Sequence, residues 1–179
     1  LWSIENGDVI EYENNPLGAI VQSLYVYNNM LFVIVNGSGN IQVFDILQNG
    51  LEPTHLIDTQ FSGPRDMIAI DNHLYFSNWY TSDIKKLNLE TWEIVEEIST
   101  PGLPEDLIVH NGLIYSSINM NHDWTDGNLV IAIDPGTDTI INTYDVGAGP
   151  GDLLSHGNDV YISRTYYDED WNAFYGTSK

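Results

Sequence analysis

The sequence contains a tandem repeat, and this repeat constrains the fold more than any other feature of the chain. The tripeptide Pro-x-Asp occurs three times, with starts 40 and 46 residues apart, and a tyrosine stands nine residues after each aspartate. The copies are Pro64–Asp66 with Tyr75, Pro104–Asp106 with Tyr115, and Pro150–Asp152 with Tyr161. Counting back nine residues from Phe32 places a fourth, degenerate copy at Ser23. A period of this length indicates a repeat architecture.

Each copy follows the pattern of antiparallel strands joined by tight turns. A short apolar segment ends at a two-residue turn such as Asn111-Gly112, and a second strand then carries the aromatic residue. Asn and Gly tolerate the positive φ that such turns require. Two further strands follow in each copy, and no amphipathic helical pattern is longer than about two turns. Four antiparallel strands in each repeat are typical of a β-propeller blade, so the sequence predicts an all-β propeller.

The predicted organisation is one β-propeller domain over residues 1–179, or part of one, with about four blade equivalents. The predicted blades are 1–22 (partial), 23–65, 66–105, 106–151 and 152–179 (partial). In the first partial blade, Gly7–Glu13 and Leu17–Gln22 are predicted as the third and fourth strands. The chain is expected to stop at Lys179 just where a third strand of the last blade would begin. A closed four-bladed ring and a fragment of a six- to eight-bladed ring both stay open, and the fragment is favoured.

The charge and composition exclude several classes of partner and site. The chain has 26 acidic and 5 basic residues, a net charge of −21, which opposes binding to nucleic acid and to anionic lipid surfaces. The absence of cysteine excludes thiolate metal sites and a cysteine nucleophile. No apolar run approaches the roughly 18 residues of a membrane helix, so a membrane-spanning chain is not expected. The start at Leu1, without methionine or a signal-peptide pattern, indicates a processed or truncated N-terminus.

One end of the predicted propeller concentrates aromatic side chains. In an up-and-down blade, the loop before strand one and the loop between strands two and three lie at the same end, here called the loop face. Trp, Tyr and Arg dominate binding hot spots, and both arginines of the chain are predicted to lie on this face. Packing between blades and over the central channel is the alternative. The predicted ligand- or partner-binding residues are Arg65, Trp79, Tyr80, His122, Trp124, Arg164, Tyr166, Tyr167 and Trp171.

Carboxylates on the loop face receive different predictions. The Pro-x-Asp aspartates are expected to accept backbone N–H bonds, because an Asp at the start of a strand commonly does so. Asn121, Asp123 and Asp126 resemble the early ligands of a calcium loop, without its later bidentate Glu, and give calcium as the one candidate metal. No other cofactor is expected.

Neither a Gly-x-Ser-x-Gly elbow nor a zinc-type His spacing is present, so a non-enzyme is predicted, with a propeller lyase or hydrolase less favoured.

The repeat positions also carry a family resemblance. The best copy runs from Pro104 to Asp152, and Tyr75-Phe76-Ser77-Asn78 nearly spells Tyr-Val-x-Asn, whereas the copy at Tyr161 departs from it at Arg164. These repeats resemble the YVTN-type propeller repeats. Residues 1–41 and 63–79 are further similar to secreted propellers of Gram-negative bacteria, which include cobalamin-binding surface lipoproteins seated on outer-membrane, TonB-dependent transporters.

This resemblance implies an extracytoplasmic protein, secreted or at the cell surface, with a lipid anchor upstream of Leu1 as one option. It implies capture of a small nutrient-type ligand or a protein partner, with an accessory role to an outer-membrane transporter as one form of that function. Together with the aromatic loop face, it predicts a non-enzymatic binding propeller. A structural or interaction module of a cell-surface assembly is the alternative function.

Overall fold

A computed structural model of the chain describes residues 17–168, 170 and 172–179, together with the backbone of two strands at 2–5 and 8–11. The described residues form 17 strands and one short 3-10 turn, at Asn36–Ser38. The strands are β1 (Trp2–Glu5), β2 (Asp8–Glu11), β3 (Val21–Tyr27), β4 (Met30–Val35), β5 (Asn40–Leu47), β6 (Gly50–Asp58), β7 (Pro64–Ile70), β8 (His73–Asn78), β9 (Asp83–Asn88), β10 (Ile94–Ser99), β11 (Leu103–His110), β12 (Leu113–Met120), β13 (Asp126–Asp134), β14 (Thr139–Asp145), β15 (Pro150–His156), β16 (Asp159–Tyr167) and β17 (Ala173–Ser178). No helix in the described part of the chain is long and apolar enough to cross a membrane.

Consecutive strands pair in sequence order and build separate sheets. The first blade is β3–β6, the second is β7–β10, the third is β11–β14, and the last blade contains the three strands β15–β17. Strands β1 and β2 form a further antiparallel pair. Up-and-down sheets of four antiparallel strands are the blades of a propeller. The predicted all-β propeller fold is therefore confirmed.

The turns form where the sequence indicates them. Asn28 and Asn29 between β3 and β4, and Asn111 and Gly112 between β11 and β12, all have positive φ. Two consecutive residues with positive φ match the right-handed twist of the flanking strands, which is why Asn and Gly occupy these positions. Local turn chemistry thus sets the length of the β3–β4 hairpin in the first blade and of the β11–β12 hairpin in the third.

Two predictions at the ends of the chain were wrong. Leu17–Gln22 was predicted as a strand, but β3 begins only at Val21, because Gly18 and Ile20 have φ values of +111° and +58° that break an extended segment. Leu17 instead packs against buried residues of the first blade. The last blade was predicted to end after its second strand, yet β17 pairs with β16 from Tyr167 opposite Ala173 to Ile162 opposite Ser178.

The chain divides into two compact units, Leu1–Pro64 and Arg65–Lys179, and each has its own core. In the first unit, Val33, Val35 and Phe44 form a buried cluster. The second unit has two apolar layers, each of which lies between neighbouring blades. The layer between the second and third blades contains Tyr75, Ile84, Ile98, Leu107, Ile114, Ile118, Ile131 and Ile133, and the next layer contains Val130, Leu153 and Ile162. Burial of each large side chain contributes about 1.5–3 kcal/mol.

A polar contact reinforces the layer between the second and third blades. Lys86 Nζ lies 2.8 Å and 2.9 Å from the two carboxylate oxygens of Asp138, and the Tyr75 hydroxyl donates to the same carboxylate at 2.8 Å. The Lys86 and Asp138 side chains are only 11% and 21% exposed. Burial, followed by the Asp138 carboxylate, raises the pKa of Tyr75 far above its usual range, so this hydroxyl stays a donor. Strands β8 and β9 of the second blade are thereby bound to the turn between β13 and β14 of the third blade.

We expect Lys86→Met to lower the free energy of unfolding by about 2 kcal/mol, because it leaves a half-buried carboxylate without its cation. Urea unfolding measured by circular dichroism checks this. Lys179→Met is the matched control, because the Lys179–Asp159 pair has the same length, 2.8 Å, but lies in solvent. That control should change stability little. Equal loss in both variants would contradict a structural role for Lys86.

Candidate functional site

The Pro-x-Asp segments join successive blades through backbone N–H groups. Strand pairing is irregular at these segments: in β11 it jumps from Pro104 to Leu107, and in β15 it jumps from Pro150 to Leu153. The irregularity frees the leucine N–H from the strand ladder. Leu107 N–H donates to Asp66 Oδ2 at 3.0 Å, and Leu153 N–H donates to Asp106 Oδ2 at 2.5 Å. Asp66 and Asp106 therefore accept backbone N–H bonds, as predicted, and the donors belong to the following blade.

We call the contact of a Pro-x-Asp segment with the next blade a joint. A serine of the same blade also binds each Pro-x-Asp segment, and the sequence reasoning missed it. The N–H of each Pro-x-Asp aspartate donates to a serine Oγ on the second strand of its own blade. The pairs are Asp66 with Ser77 at 3.1 Å, Asp106 with Ser117 at 3.2 Å, and Asp152 with Ser163 at 2.9 Å. Ser77 Oγ also donates to the Glu105 carbonyl of the third blade at 2.6 Å. A serine eleven residues after each aspartate is visible in the sequence, so the signal was present.

The Asp106 carboxyl is electrostatically distinct from an ordinary surface aspartate. Burial raises its pKa to about 7, although the Leu153 N–H bond lowers it. A hydrogen bond with Asp66 and the negative charges of Asp66 and Asp152 raise it further. The three aspartates of the second, third and last blades are thus close enough to influence one another.

Arg65 is the centre of the contact between the second and third blades on the loop face. Its Nε and one terminal nitrogen donate to the two oxygens of Glu105 at 3.0 Å and 2.7 Å, a bidentate pair. The guanidinium carbon lies 4.0 Å from the ring centroid of Trp79. Bidentate pairing and stacking on an aromatic ring both suit a planar guanidinium. Arg65 is therefore held by protein groups, and Glu105 is a partner that sequence reasoning did not single out.

Trp79 connects this ion pair to an exposed aromatic surface. Its ring meets the ring of Trp124 edge to face, with centroids 5.8 Å apart. Trp124 is 54% exposed and Tyr80 is 66% exposed. The Trp79 Nε1 atom is buried and has no hydrogen-bond partner among the described residues. Such a donor is uncommon in folded proteins and is usually satisfied by water or a ligand.

His122 connects the loop after β12, which contains Trp124, to the loop after β8, which contains Trp79. Its Nδ1 is 3.2 Å from Ser82 Oγ, which belongs to the corresponding loop of the second blade. Arg65, Trp79 and Trp124 are therefore in contact with one another, His122 contacts Ser82, and Tyr80 is adjacent to Trp79 in sequence. Whether these residues bind a ligand stays a prediction. We call Tyr80, Trp124 and the supporting Trp79 the tryptophan platform.

The remaining predicted residues belong to the last blade. Arg164 Nε donates to the Ala148 carbonyl at 3.0 Å, and its guanidinium lies 5.3 Å from the Tyr166 ring centroid. Gly147 allows this arrangement, because a Cβ there would contact the guanidinium group and because its φ is +83°. Tyr166 also stacks on Phe174, with centroids 5.5 Å apart. Trp171, the last of the predicted binding residues, lies outside the described residues.

Two of the residues predicted for the loops of this face belong to a strand instead. Tyr166 and Tyr167 both lie in β16. The Tyr167 N–H donates to Asp126 Oδ2 at 3.2 Å, so Asp126 connects the third blade to the last one. The extended strand explains why these tyrosines are fixed by regular pairing with β17 rather than by loop contacts.

Two of the candidate calcium ligands, Asn121 and Asp123, are engaged within their own loop. Asp123 Oδ1 accepts from the Thr125 hydroxyl at 2.6 Å and from the Thr125 N–H at 3.1 Å, and the hydroxyl bond is the main reason why the pKa of Asp123 lies below its usual range. Asn121 Nδ2 donates to the Asp126 carbonyl at 2.9 Å. Within the described part of the chain, no group of three or more His, Asp or Glu side chains is arranged to hold a metal ion. Calcium binding by Asn121, Asp123 and Asp126 stays a prediction.

Comparison with known proteins supports the fold. No protein-family description matches the chain, and no curated protein matches it significantly in sequence. In structure it is similar to hydrazine synthase of Kuenenia stuttgartiensis, with a TM-score of 0.70 and 11% identity over 89% of this chain and 46% of that one. It is similar to the Pan2 WD40 domain of Neurospora crassa, with a TM-score of 0.65 and 17% identity over 87% of this chain and 46% of that one. The chain spans about half the length of these two structures.

A third similar structure is of comparable length. The computationally designed Ika4 protein matches with a TM-score of 0.66 and 15% identity, over 93% of this chain and 95% of that one. At these identities the likeness shows a β-propeller fold and not a shared activity. The finer resemblance to YVTN-type repeats stays a prediction.

We expect Arg65→Lys to disturb the tryptophan platform, because an ammonium group cannot make the bidentate pair with Glu105 or stack flat on Trp79. The free energy of unfolding should fall by about 1–2 kcal/mol, and the tryptophan emission of the folded protein should shift. Fluorescence spectra and urea unfolding measure both effects. Arg164→Lys is the control, because Arg164 contacts a tyrosine and a carbonyl group. Unchanged emission in Arg65→Lys would show that Arg65 does not hold Trp79 in place.

Proposed function

We propose that this propeller is a non-enzymatic binding module that captures a ligand or protein partner on the tryptophan platform. The observation that carries the proposal is the exposure of Trp124, whose ring packs on a Trp79 ring that Arg65 holds in place. Exposed aromatic side chains supply large contact areas with little loss of rotamer freedom, which is why they dominate binding hot spots. The structural similarity to propellers supports a binding or interaction module, although propellers also serve enzymes.

Electrostatics narrows the class of ligand. Arg65 is neutralised by the carboxylate of Glu105, and the chain as a whole has a net charge of −21. An anionic ligand would therefore meet an unfavourable field without a free guanidinium to offset it. A neutral or cationic ligand with an apolar face fits the platform better.

The resemblance to secreted propellers of Gram-negative bacteria supports the cellular setting of this proposal. We propose an extracytoplasmic location, in secreted or surface-anchored form, and a nutrient-type ligand of the cobalamin class or a protein partner. An outer-membrane transporter would then be the acceptor of the ligand. No described side chain has been assigned a catalytic role in this proposal.

A second candidate function rests on the last blade. The side chains of Phe174 and Tyr175 on strand β17 are 44% and 79% exposed. Exposed aromatic residues favour contact with another protein chain. This observation supports the alternative of an interaction module in a surface assembly.

Two variants separate these functions. Trp124→Ala removes the central exposed ring of the tryptophan platform, whereas Tyr175→Ala removes an exposed aromatic residue of β17. We expect binding of cyanocobalamin or of a neutral oligosaccharide panel, measured by titration calorimetry, to weaken about tenfold or more in Trp124→Ala and to be unchanged in Tyr175→Ala.

Other outcomes would redirect the assignment. The absence of saturable binding to every probe would contradict a small-ligand platform. Self-association or partner capture that is lost in Tyr175→Ala, and kept in Trp124→Ala, would favour the interaction module. Sedimentation velocity on both variants measures self-association directly.

A further inference from the structure

The joints between the second, third and last blades place carboxyl groups side by side. Asp66 Oδ2 binds the N–H of Leu107, which directly follows Asp106 in the chain. The Asp66 carboxylate is therefore held next to Asp106, whose own Oδ2 binds the N–H of Leu153. Asp66 and Asp106 share a hydrogen bond. Two carboxyl groups this close repel each other when both are ionised, and one proton held between them removes that repulsion.

The cationic side chains on the neighbouring described strands are already engaged by other groups of the protein. On β7, Arg65 is paired with Glu105 of β11. On β15 the nearest charged group is the Asp152 carboxylate, which adds negative charge. On β16, Arg164 donates to the Ala148 carbonyl. The facing strand β12 has no charged residue and contributes only the Ser117 hydroxyl, which accepts the Asp106 N–H.

We propose that Asp66 and Asp106 bind one proton between them and that its loss at mildly alkaline pH weakens the joints between the second, third and last blades. The protonated Asp106 donates to Asp66 through one oxygen and accepts the Leu153 N–H through the other. Both joints are then satisfied with a single negative charge. When the proton leaves for solvent, two adjacent carboxylates remain, and each still occupies the position of an acceptor for the next blade.

The sign of the effect follows from the raised pKa of Asp106. Because the folded state holds the proton up to about pH 7, whereas an unfolded aspartate loses it near pH 4, the folded state binds more protons between these values. The stabilising contribution is complete below about pH 4 and is lost as the pH rises through about 7. Since Asp106 is partly exposed, we expect a modest decrease in melting temperature between pH 5.5 and 8.5, about 2–4 °C from this pair.

The proton pair also has an optical readout on the loop face. Asp66 and Asp106 directly follow Arg65 and Glu105 in the chain, and Arg65 lies over the Trp79 ring. Loosening of the joint at high pH should therefore shift tryptophan emission with the same midpoint as the loss of stability. This readout needs no ligand, so the proton pair and the proposed binding function can fail separately.

Asp106→Asn tests the proposal, because an asparagine amide donates to Asp66 and its carbonyl accepts from Leu153 at every pH. We expect this variant to lose most of the pH dependence of the melting temperature between pH 5.5 and 8.5. Asp152→Asn is the matched control, since it removes the same charge from the exposed, equivalent position of the last blade. It should keep most of the pH dependence of the wild type, because the Asp152 charge is the smallest of the causes that raise the pKa of Asp106.

The same pH dependence in wild type, Asp106→Asn and Asp152→Asn would overturn the proposal. If Asp106→Asn fails to fold, carbon-13 NMR of the wild-type side-chain carboxyl groups decides the question. We expect one aspartate carboxyl resonance to titrate near neutral pH. Titration of every aspartate below pH 5.5 would equally overturn the proposal.

Discussion

The second unit of this protein depends on a hydrogen bond between an aspartate carboxylate in one blade and a backbone N–H in the next. Asp66 reaches Leu107, and Asp106 reaches Leu153, at the same position of each repeat. Apolar layers supply most of the burial between the blades, but such layers have little directional preference. The carboxylate bonds add direction, because a charged acceptor and an N–H donor must meet at a defined distance and angle.

These joints also explain why the loop face is ordered. Arg65 and Glu105 directly precede the aspartates of the second and third blades, and they meet across these two blades. That ion pair supports Trp79, and Trp79 in turn supports Trp124. The exposed aromatic surface therefore rests on strand positions rather than on loop conformation alone, and rigid support of this kind lowers the entropic cost of binding.

Sequence reasoning succeeded where the determining chemistry is local. The repeat and the Asn-containing turns could be read directly, because each requires a particular residue type at a fixed spacing. The segment at Leu17 failed because the positive φ of Ile20 is unfavourable for a β-branched residue and has no sequence signal. Strand β17 was missed because its sequence, Ala-Phe-Tyr-Gly-Thr-Ser, lacks a clear alternation of apolar and polar residues.

The contacts of the site were harder to predict than the residues themselves. Loop position was enough to group Arg65, Trp79 and Trp124 on one face. The pairing of Arg65 with Glu105, 40 residues apart, depends on how two blades are set against each other.

The joints have a further consequence for the evolution of such chains. Because Asp66 and Asp106 meet main-chain groups, a duplicated or exchanged blade can form this bond whatever its loop sequences are, and the loops are free to diverge and acquire new specificities.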